Sequence, residues 1–493
     1  MRENSYVEAP PTWVVANLGS LISISYGKAL SASIRSNNGP IPVVGSSGIL
    51  GYHNRALVDG PCLVVGRKGA AGAVHLITQP SWAIDTAYYI QPPSGIDLRY
   101  LFYFLCYQQL EQLDKSTAIP SLSRDDLYKV NAYLAPESEQ RRIVEKIEEL
   151  LSDLDAGVAE LKAAQRKLVQ YRQSLLKGAV EGTLTADWRA ARAQSGEPQE
   201  TGSELLQRIL TERRTRWETR QLAKFAEQGK VPPKDWNANY PEPAVPGTTG
   251  LPVLPEGWIW ASVDQLSDMV RNGLPQKPST ERIGYPILRI NAVRPMSVSL
   301  DEVRYLSLSE KEASSYFLHE GDLLATRYNG SVDFLGVFGV VRGLREPMVH
   351  PDKLIRIKPV LDAPLADWIE ICASTGVSRK HIVGRVKTTA GQTGISGEDI
   401  KKMPIPLPPV LEQLVASEMM AAALANIASQ GATVEYSLRQ SAAQRKNILK
   451  AAFTGKLVPQ DPNDEPASVL LERIRAERVA ADAKRAGKNT RKT

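Results

Sequence analysis

The sequence predicts an α+β fold: two globular α/β domains, each followed by a long helix, with the two helices pairing as an antiparallel coiled coil in an internal repeat. Three observations carry this. First, the stretch Leu122 to Leu184 recurs without a gap as Ile395 to Leu457, always 273 residues later. Ser123 matches Ser396, Asp126 matches Asp399, and Leu134 matches Leu407; the trio Pro136, Glu139, Gln140 matches Pro409, Glu412, Gln413. Farther on, Leu176-Lys177, Ala179, Gly182 and Leu184 match Leu449-Lys450, Ala452, Gly455 and Leu457. A constant offset through two separated clusters marks a duplicated unit. Second, each copy carries apolar residues at seven-residue spacing, Ile147, Leu154, Leu161, Leu168 and Leu175, then Met420, Ile427, Val434 and Ile448, with Ser441 interrupting the second series. That spacing, held over four heptads, describes a coiled-coil seam. Third, Pro255 to Trp260 echoes Pro10 to Val15, with Trp258 matching Trp13 at an offset of 245. The second globular stretch is therefore 28 residues longer than the first, and the two diverge between shared ends.

Taken in order, residues 1–135 form the first globular domain. It opens with Trp13, Val14, Val15, Leu18, Leu21 and Ile22. Short β-like runs follow at Ile41 to Val44, Gly48 to Tyr52, Cys62 to Val65 and Ala73 to Ile77, then a buried helix within Asp97 to Leu113. Residues 136–202 hold the first long helix. Pro136 and Pro409 stand where proline is tolerated, just before each helix, and Gly182 and Gly455 stand where helices stop. From Glu137 to Lys177 such a helix is roughly 60 Å long at about 1.5 Å per residue. An alternative keeps each helix on its own domain. Residues 203–254 read as an amphipathic basic helix with the face Leu205, Leu206, Ile209, Leu210 and Trp217, then a connector with seven prolines from Val231 to Pro255. Such a connector is a stiff spacer without its own core. Residues 255–408 form the second domain and 409–457 the second helix. Residues 458–493 are a tail whose Leu470, Leu471, Arg473, Ile474, Glu477 and Arg478 repeat Leu205, Leu206, Arg208, Ile209, Glu212 and Arg213. The basic end, Arg485 to Thr493, is expected to fray.

The composition bounds the function. A chain of 493 residues that is 43% hydrophobic and 23% charged is an ordinary globular protein of two or more domains. A net charge of +6 permits a polyanionic partner. Cys62, Cys106 and Cys372 are far apart, which argues against a zinc site or disulfide framework and suits a reducing cytoplasm. Met1 to Pro11 lacks the apolar core of a signal peptide. No apolar run approaches the roughly 20 residues that span a bilayer, so no membrane is expected. Enzyme signatures are missing: no phosphate loop, no Gly-x-Gly-x-x-Gly after a strand, and no Asp/Asn-Pro-Pro-aromatic tetrapeptide. His53, His75, His319, His350 and His381 show no metal-ligand spacing.

Two polar, basic, glycine-containing loops occupy comparable places. Gly66-Arg67-Lys68-Gly69 follows Leu63 to Val65, and Thr326-Arg327-Tyr328-Asn329-Gly330-Ser331 follows Leu323 to Ala325; Asp59-Gly60 and Glu320-Gly321 precede them. Arginine reads guanine, asparagine reads adenine, and serine and backbone amides hold phosphates. The DNA-binding candidates are thus Arg67, Lys68, Arg327, Asn329 and Ser331. Ser46, Ser47 and Asn54 join them in the first domain, and Arg289, Asn291, Arg385, Lys387 and Gln392 in the second. Arg379 and Lys380 extend the last basic run.

These residues resemble the specificity subunit of type I restriction-modification systems over nearly the whole chain. The resemblance rests on the two Pro-x-x-Glu-Gln helices and on the closing phrase Ala452-Phe453-Thr454-Gly455-Lys456-Leu457-Val458-Pro459-Gln460 with its continuation from Leu470 to Arg478. The Gly66-to-Gly69 loop and Leu254-Pro255-Glu256-Gly257-Trp258 add to it. The first copy departs from the phrase (Gly178-Ala179-Val180-Glu181-Gly182-Thr183-Leu184) but keeps length and register. The resemblance implies that each variable domain is a target recognition domain reading one half of a bipartite, asymmetric site on double-stranded DNA. The helices would act as a ruler and dock two methyltransferase subunits, which restriction subunits join. It implies no cofactor in this chain: S-adenosylmethionine, ATP and Mg belong to the partners, and the target adenine leaves the stack to be methylated. The competing readings are a coiled-coil scaffold that binds protein only, and a nuclease or methyltransferase with an unrecognised site.

Overall fold

The computed structural model describes residues 10–489 except 37, 38, 117, 118, 197, 199, 330, 390 and 391; side chains 332, 388, 389, 392 and 481–489 are also outside the described set. The expectations for Met1 to Ala9 and the last four residues fall outside it. Contacts divide the chain into two compact units. One is Met1–Ala164 with Thr433–Thr493, and the other is Gln165–Ala432. Each unit combines a globular domain with a length of both long helices.

In the first unit, the strand Val14–Asn17 pairs antiparallel with Asn131–Leu134, so the two ends of the globular domain lie side by side. Between them stands a four-stranded antiparallel sheet in the order Ile24–Tyr26, Ala87–Ile90, Cys62–Gly66, Val74–Ile77. A hairpin of Ile41–Gly45 and Gly48–His53 adds a smaller sheet. The central strand Cys62–Gly66 is buried throughout, as its unbroken apolar run requires. The helix Leu98–Tyr107 is capped by Asp97, whose carboxylate accepts the Arg99 and Tyr100 amides, and it buries Tyr100, Leu101, Phe104 and Leu105.

The second unit repeats the plan. Ile259–Ser262 pairs antiparallel with Pro404–Leu407. Its four-stranded antiparallel sheet runs Ser267–Asn272, Leu354–Pro359, Leu323–Thr326, Phe338–Val340, the same order of connection as in the first unit. Its strands Tyr285–Leu288 and Val303–Leu306 pair antiparallel as the first unit's smaller hairpin does, and it also holds the helix Gly376–Val383 and the hairpin Lys387–Thr389 with Gln392–Gly394.

The long helices span Glu137–Val180 and Val410–Ala452. In the first unit Ile143, Ile147 and Leu151 share a core with Ile448, Ala452 and Phe453. In the second, Leu176, Ala179 and Val180 share one with Ala416 and Met420. The start of one helix thus packs with the end of the other in both units, which is the antiparallel arrangement. Leu154, Leu161, Leu168, Leu175, Ile427 and Val434 are half-buried, as seam residues of a two-helix pair are. Gly182 and Gly455 follow the helix ends at φ of +74° and +70°, where glycine carries no Cβ penalty.

The repeat motif explains itself in hydrogen bonds. Trp13 Nε1 donates to Glu139 Oε2 at 2.9 Å, and Trp258 Nε1 donates to Glu412 Oε2 at 2.8 Å. Gln140 Nε2 donates to Ala135 O and Gln413 Nε2 to Pro408 O, both at 2.9 Å. Each Glu-Gln pair therefore ties the head of its helix to the opening and the last strand of its own domain. Both glutamates are buried, where a carboxylate requires such donors. Burial pushes the Glu139 carboxyl above the usual range, against the pull of the Trp13 and Gln460 hydrogen bonds. The other oxygen of Glu412 is held by Thr185 and Arg189.

Three expectations are corrected. The connector is not a bare spacer. Its Trp236 stacks on Trp217 at 5.8 Å and its Tyr240 meets the same ring edge-on at 5.4 Å, so Trp217 serves the connector while Leu205, Leu206 and Ile209 serve the core. The tail helix runs Ala467–Asn489, so the backbone stays helical through much of the segment expected to fray. Finally, Val410–Ala452 is long and apolar enough to cross a membrane by length and composition, with a window of mean hydropathy 1.2. Alanines such as Ala421, Ala422, Ala423, Ala425 and Ala428 raise that value, and all of these but the half-buried Ala423 are exposed beside the polar Asn426, Ser429 and Gln430.

Candidate nucleic-acid interface

Arg67 and Arg327 occupy the same place in the two sheets, one residue past the end of the strands Cys62–Gly66 and Leu323–Thr326. The Arg67 N–H donates to Thr86 O at 2.9 Å and the Arg327 N–H to Lys353 O at 2.8 Å. Their carbonyls accept from Leu122 N at 2.9 Å and Ile395 N at 3.0 Å. Leu122 and Ile395 are the first residues of the repeated stretch. Each is followed by a serine, Ser123 or Ser396, whose side chain caps a short helix by accepting the amide of Asp126 or Asp399. The shared frame thus fixes both loops by backbone bonds that do not depend on the loops' own side chains.

Around these anchors the side chains differ. In the first unit the Ala70 carbonyl folds back over Gly66, where a Cβ would lie 2.0 Å from it. Only glycine permits that fold. Ser46 lies against this loop, its Oγ 3.6 Å from the Cβ position of Gly69, while Lys68 and Ser47 are exposed. The Arg67 guanidinium lies over the Tyr26 ring at 5.4 Å. Arg124 lies over the same ring at 5.1 Å and over Tyr128 at 5.8 Å. Tyr26 meets Tyr88 edge-on, and the Tyr88 hydroxyl donates to Leu122 O at 3.0 Å. Burial, with Tyr26 beside it, pushes the Tyr88 phenol up to about 12 while Arg67 and Arg124 oppose the rise. The Nε atoms of Arg67 and Arg124 are buried without a hydrogen-bond partner among the described residues. Asn54 stands apart. It follows His53, at the opposite end of the hairpin from Ser46 and Ser47, and is exposed.

In the second unit Thr326 is fully buried and organises the loop. Its hydroxyl donates to Phe334 O at 2.6 Å and accepts from Val337 N at 3.2 Å. Arg327 lies over Tyr328 at 4.7 Å, and Tyr328 bridges to Gly394, so the hairpin carrying Lys387 and Gln392 leans on the Arg327 loop. The Gln392 side chain and Gly330 lie outside the described residues. Asn329 and Ser331 each direct a side-chain oxygen to the loop's own amides, Ser331 N and Asp333 N. Arg289 and Asn291 do not point free: both donate to Glu302 Oε2, at 3.0 and 2.9 Å. They line a cleft of about 520 Å³ with Gln276, Lys277, Arg304 and Lys353. Lys353 is the residue whose carbonyl holds Arg327, so cleft and loop adjoin. Arg385 and Lys387 are exposed. Arg379 is structural instead, donating to Leu335 O and Gly336 O at 2.8 and 2.9 Å.

Reasoning from sequence alone misses Tyr26, Tyr88, Arg124, Lys277, Arg304 and Lys353. For Arg124 a signal exists: it interrupts the repeat, since the second copy has Gly397 between the matched Ser396 and Asp399. The others come together only through sheet pairing.

Comparison with known proteins gives a consistent answer. Residues 10–166 match the type I restriction modification DNA specificity domain. The chain is 33% identical over 374 residues to the type I restriction enzyme EcoKI specificity subunit of Escherichia coli (strain K12), covering 73% of this chain and 66% of that protein, just under two thirds of its length. It is 22% identical over 510 residues to the EcoDI specificity subunit of Escherichia coli, covering 97% and 98% of the two chains. Among solved structures, one from work on complex assembly and conformational transition of the type I restriction-modification system superposes with a TM-score of 0.59 at 15% identity, covering 91% of this chain and 99% of that one. That likeness concerns the fold. With the duplicated frame and the paired long helices, these matches show that the chain belongs to the family of type I restriction-modification specificity subunits.

Proposed function

We propose that this chain is the sequence-specific DNA-binding subunit of a type I restriction-modification complex. It reads a bipartite, asymmetric target and positions methyltransferase and restriction subunits. The observation that carries this is the placement of Arg67 and Arg327 by the same two backbone bonds, one on the amide and one on the carbonyl, on two frames with different neighbours. Like frames place like tools, and unlike neighbours read unlike half-sites. An asymmetric target follows from two unlike heads, as half-site spacing follows from what connects them.

The roles divide by chemistry. Arg67 and Arg327 are the base-reading candidates, through guanidinium forks suited to guanine. Lys68, Ser46, Ser47, Arg385, Lys387 and the amides of the two loops suit phosphate. Asn329 retains its amide N–H groups for a base or sugar once its oxygen holds the turn. Arg289 and Asn291 bind DNA only after releasing Glu302, so their contribution is conditional. Asn54 is a peripheral contact. Catalysis belongs to partners: adenine methylation with S-adenosylmethionine, and translocation and cleavage with ATP and Mg. Two methyltransferase subunits dock on the long helices.

A salt titration of DNA binding tests the reading. The chain, in complex with its methyltransferase, should lose affinity steeply as salt rises, because phosphate contacts release counterions. Salt-independent association, or none, favours the protein-only scaffold. Methyl transfer by the chain alone favours the enzyme reading.

A further inference from the structure

We propose that Arg124 is a DNA-phosphate contact flanking the first half-site, held on the Tyr26 ring beside Arg67. The inference rests on the reading of the first globular domain as a DNA-recognition head. It adds a contact drawn from the repeated frame rather than from the divergent stretch between its ends.

Four observations converge. The guanidinium carbons of Arg67 and Arg124 lie 5.4 and 5.1 Å from one ring centroid, so they are within about 10.5 Å of each other. Two cations on one ring concentrate positive potential, which attracts an anion. No carboxylate pairs with either among the described residues. The nearby Asp126 is engaged by Ser123 Oγ at 2.8 Å and Lys115 Nζ at 3.3 Å. The Nε atoms of both arginines are buried and unpartnered, which leaves the guanidinium ends as the groups for a ligand. The Tyr26 and Tyr128 rings hold the Arg124 guanidinium between them before any ligand arrives.

The ligand class follows from the geometry. One base edge takes one guanidinium fork through two acceptors. The second cation on the same ring is then available to the adjoining backbone phosphate, which positions the duplex without reading it. Arg124 is fixed relative to Arg67 by the Leu122-to-Arg67 backbone bond and by the Ser123 cap. A phosphate gripped there adds affinity whatever the sequence of the half-site. The second copy has Gly397 at this position, so the contact belongs to the first head alone.

The test uses the full chain in complex with its methyltransferase, binding duplexes that carry the target or a target with the first half scrambled. Arg124→Gly, which installs the residue of the second copy, should make the slope of log K against log salt shallower by about 0.9, the value of one phosphate. Affinity should fall about tenfold, as for one lost charge-assisted bond, and equally on both duplexes. Arg124→Lys should keep the slope. If the glycine variant melts early, Arg124→Gln, which keeps the helix and the stem, carries the same readings. An unchanged slope in a folded neutral variant overturns the proposal. So does a loss confined to the intact target, which marks a base contact. No salt-dependent DNA binding by the wild-type complex overturns the recognition-head reading itself, and is told apart by the wild-type titration alone.

Discussion

The Arg67 carbonyl accepts the amide of Leu122 at 2.9 Å, and this bond joins the divergent part of the first domain to the first residue of the repeated stretch. Its counterpart, Arg327 with Ile395 at 3.0 Å, does the same in the second. An arginine held on both its amide and its carbonyl keeps its Cα fixed, and its guanidinium rests over Tyr26 in the first domain and over Tyr328 in the second. Arg67→Ala and Arg327→Ala should therefore leave the fold intact and each relax one base position, at about 1–3 kcal/mol of discrimination. Selection of bound sequences from a random pool measures this. Each variant should lose preference in one half of the target, a different half for each.

The divergent stretch is clasped at its ends by Val14–Asn17 against Asn131–Leu134 in the first domain and by Ile259–Ser262 against Pro404–Leu407 in the second. A segment whose ends pair with each other can be exchanged without moving what lies outside. Replacing Trp13 to Ala135 with the matching segment of another family member should change one half-site and leave the other. A change in both halves contradicts the modular frame.

Much of this was legible in the sequence. The offset of 245 at Trp13 and Trp258, growing to 273 at Ser123 and Ser396, placed the shared ends and the inserted length, and the heptads placed the seam. The Arg67 and Arg327 loops were found because a strand and a glycine frame each of them. What stayed hidden depends on pairing between distant strands. Tyr26 reaches Arg67 only because Ile24–Tyr26 joins the sheet through Ala87–Ile90. Arg289 and Asn291 looked free because Glu302, which holds both, lies across a sheet contact no spacing reveals. Trp236 was hidden for the opposite reason: proline content dominates its connector, whereas its Trp236 and Tyr240 rings pack on Trp217 and its Ala244 amide donates to Asp264.

The tryptophan-glutamate bonds should matter for stability. Trp13→Phe or Trp258→Phe keeps most of the packing and removes one donor from a buried carboxylate, which costs about 1–3 kcal/mol. Chemical denaturation measures it. Glu139 adds a pH signature. Its carboxyl is raised in the folded state, first by burial, so folding favours its protonated form. Its contribution is complete below the unfolded glutamate value and is lost as pH rises through the folded value. Glu139→Gln should therefore gain on the wild type as pH rises from 4 to 7; a pH-independent difference contradicts the assignment.

His350 has the opposite sign. Burial, helped by the Arg356 guanidinium, pushes its pKa from 6.5 down to about 4. The neutral ring is the folded form, so its stabilising contribution is present above 6.5 and is lost as pH falls through 4. The full loss is about 3 kcal/mol. Denaturant melts of the wild type between pH 7 and 4 should show this fall, and His350→Gln should flatten it.

The most direct test of the central claim is a map of methylated adenines in cells that express this chain with its methyltransferase, compared with cells lacking the chain. A split, asymmetric motif carrying N6-methyladenine on both strands, absent from the deletion, is the predicted result. Changing Arg67 should then alter one half of that motif and Arg327 the other. Identical methylation with and without the chain contradicts its role as the subunit that reads the target.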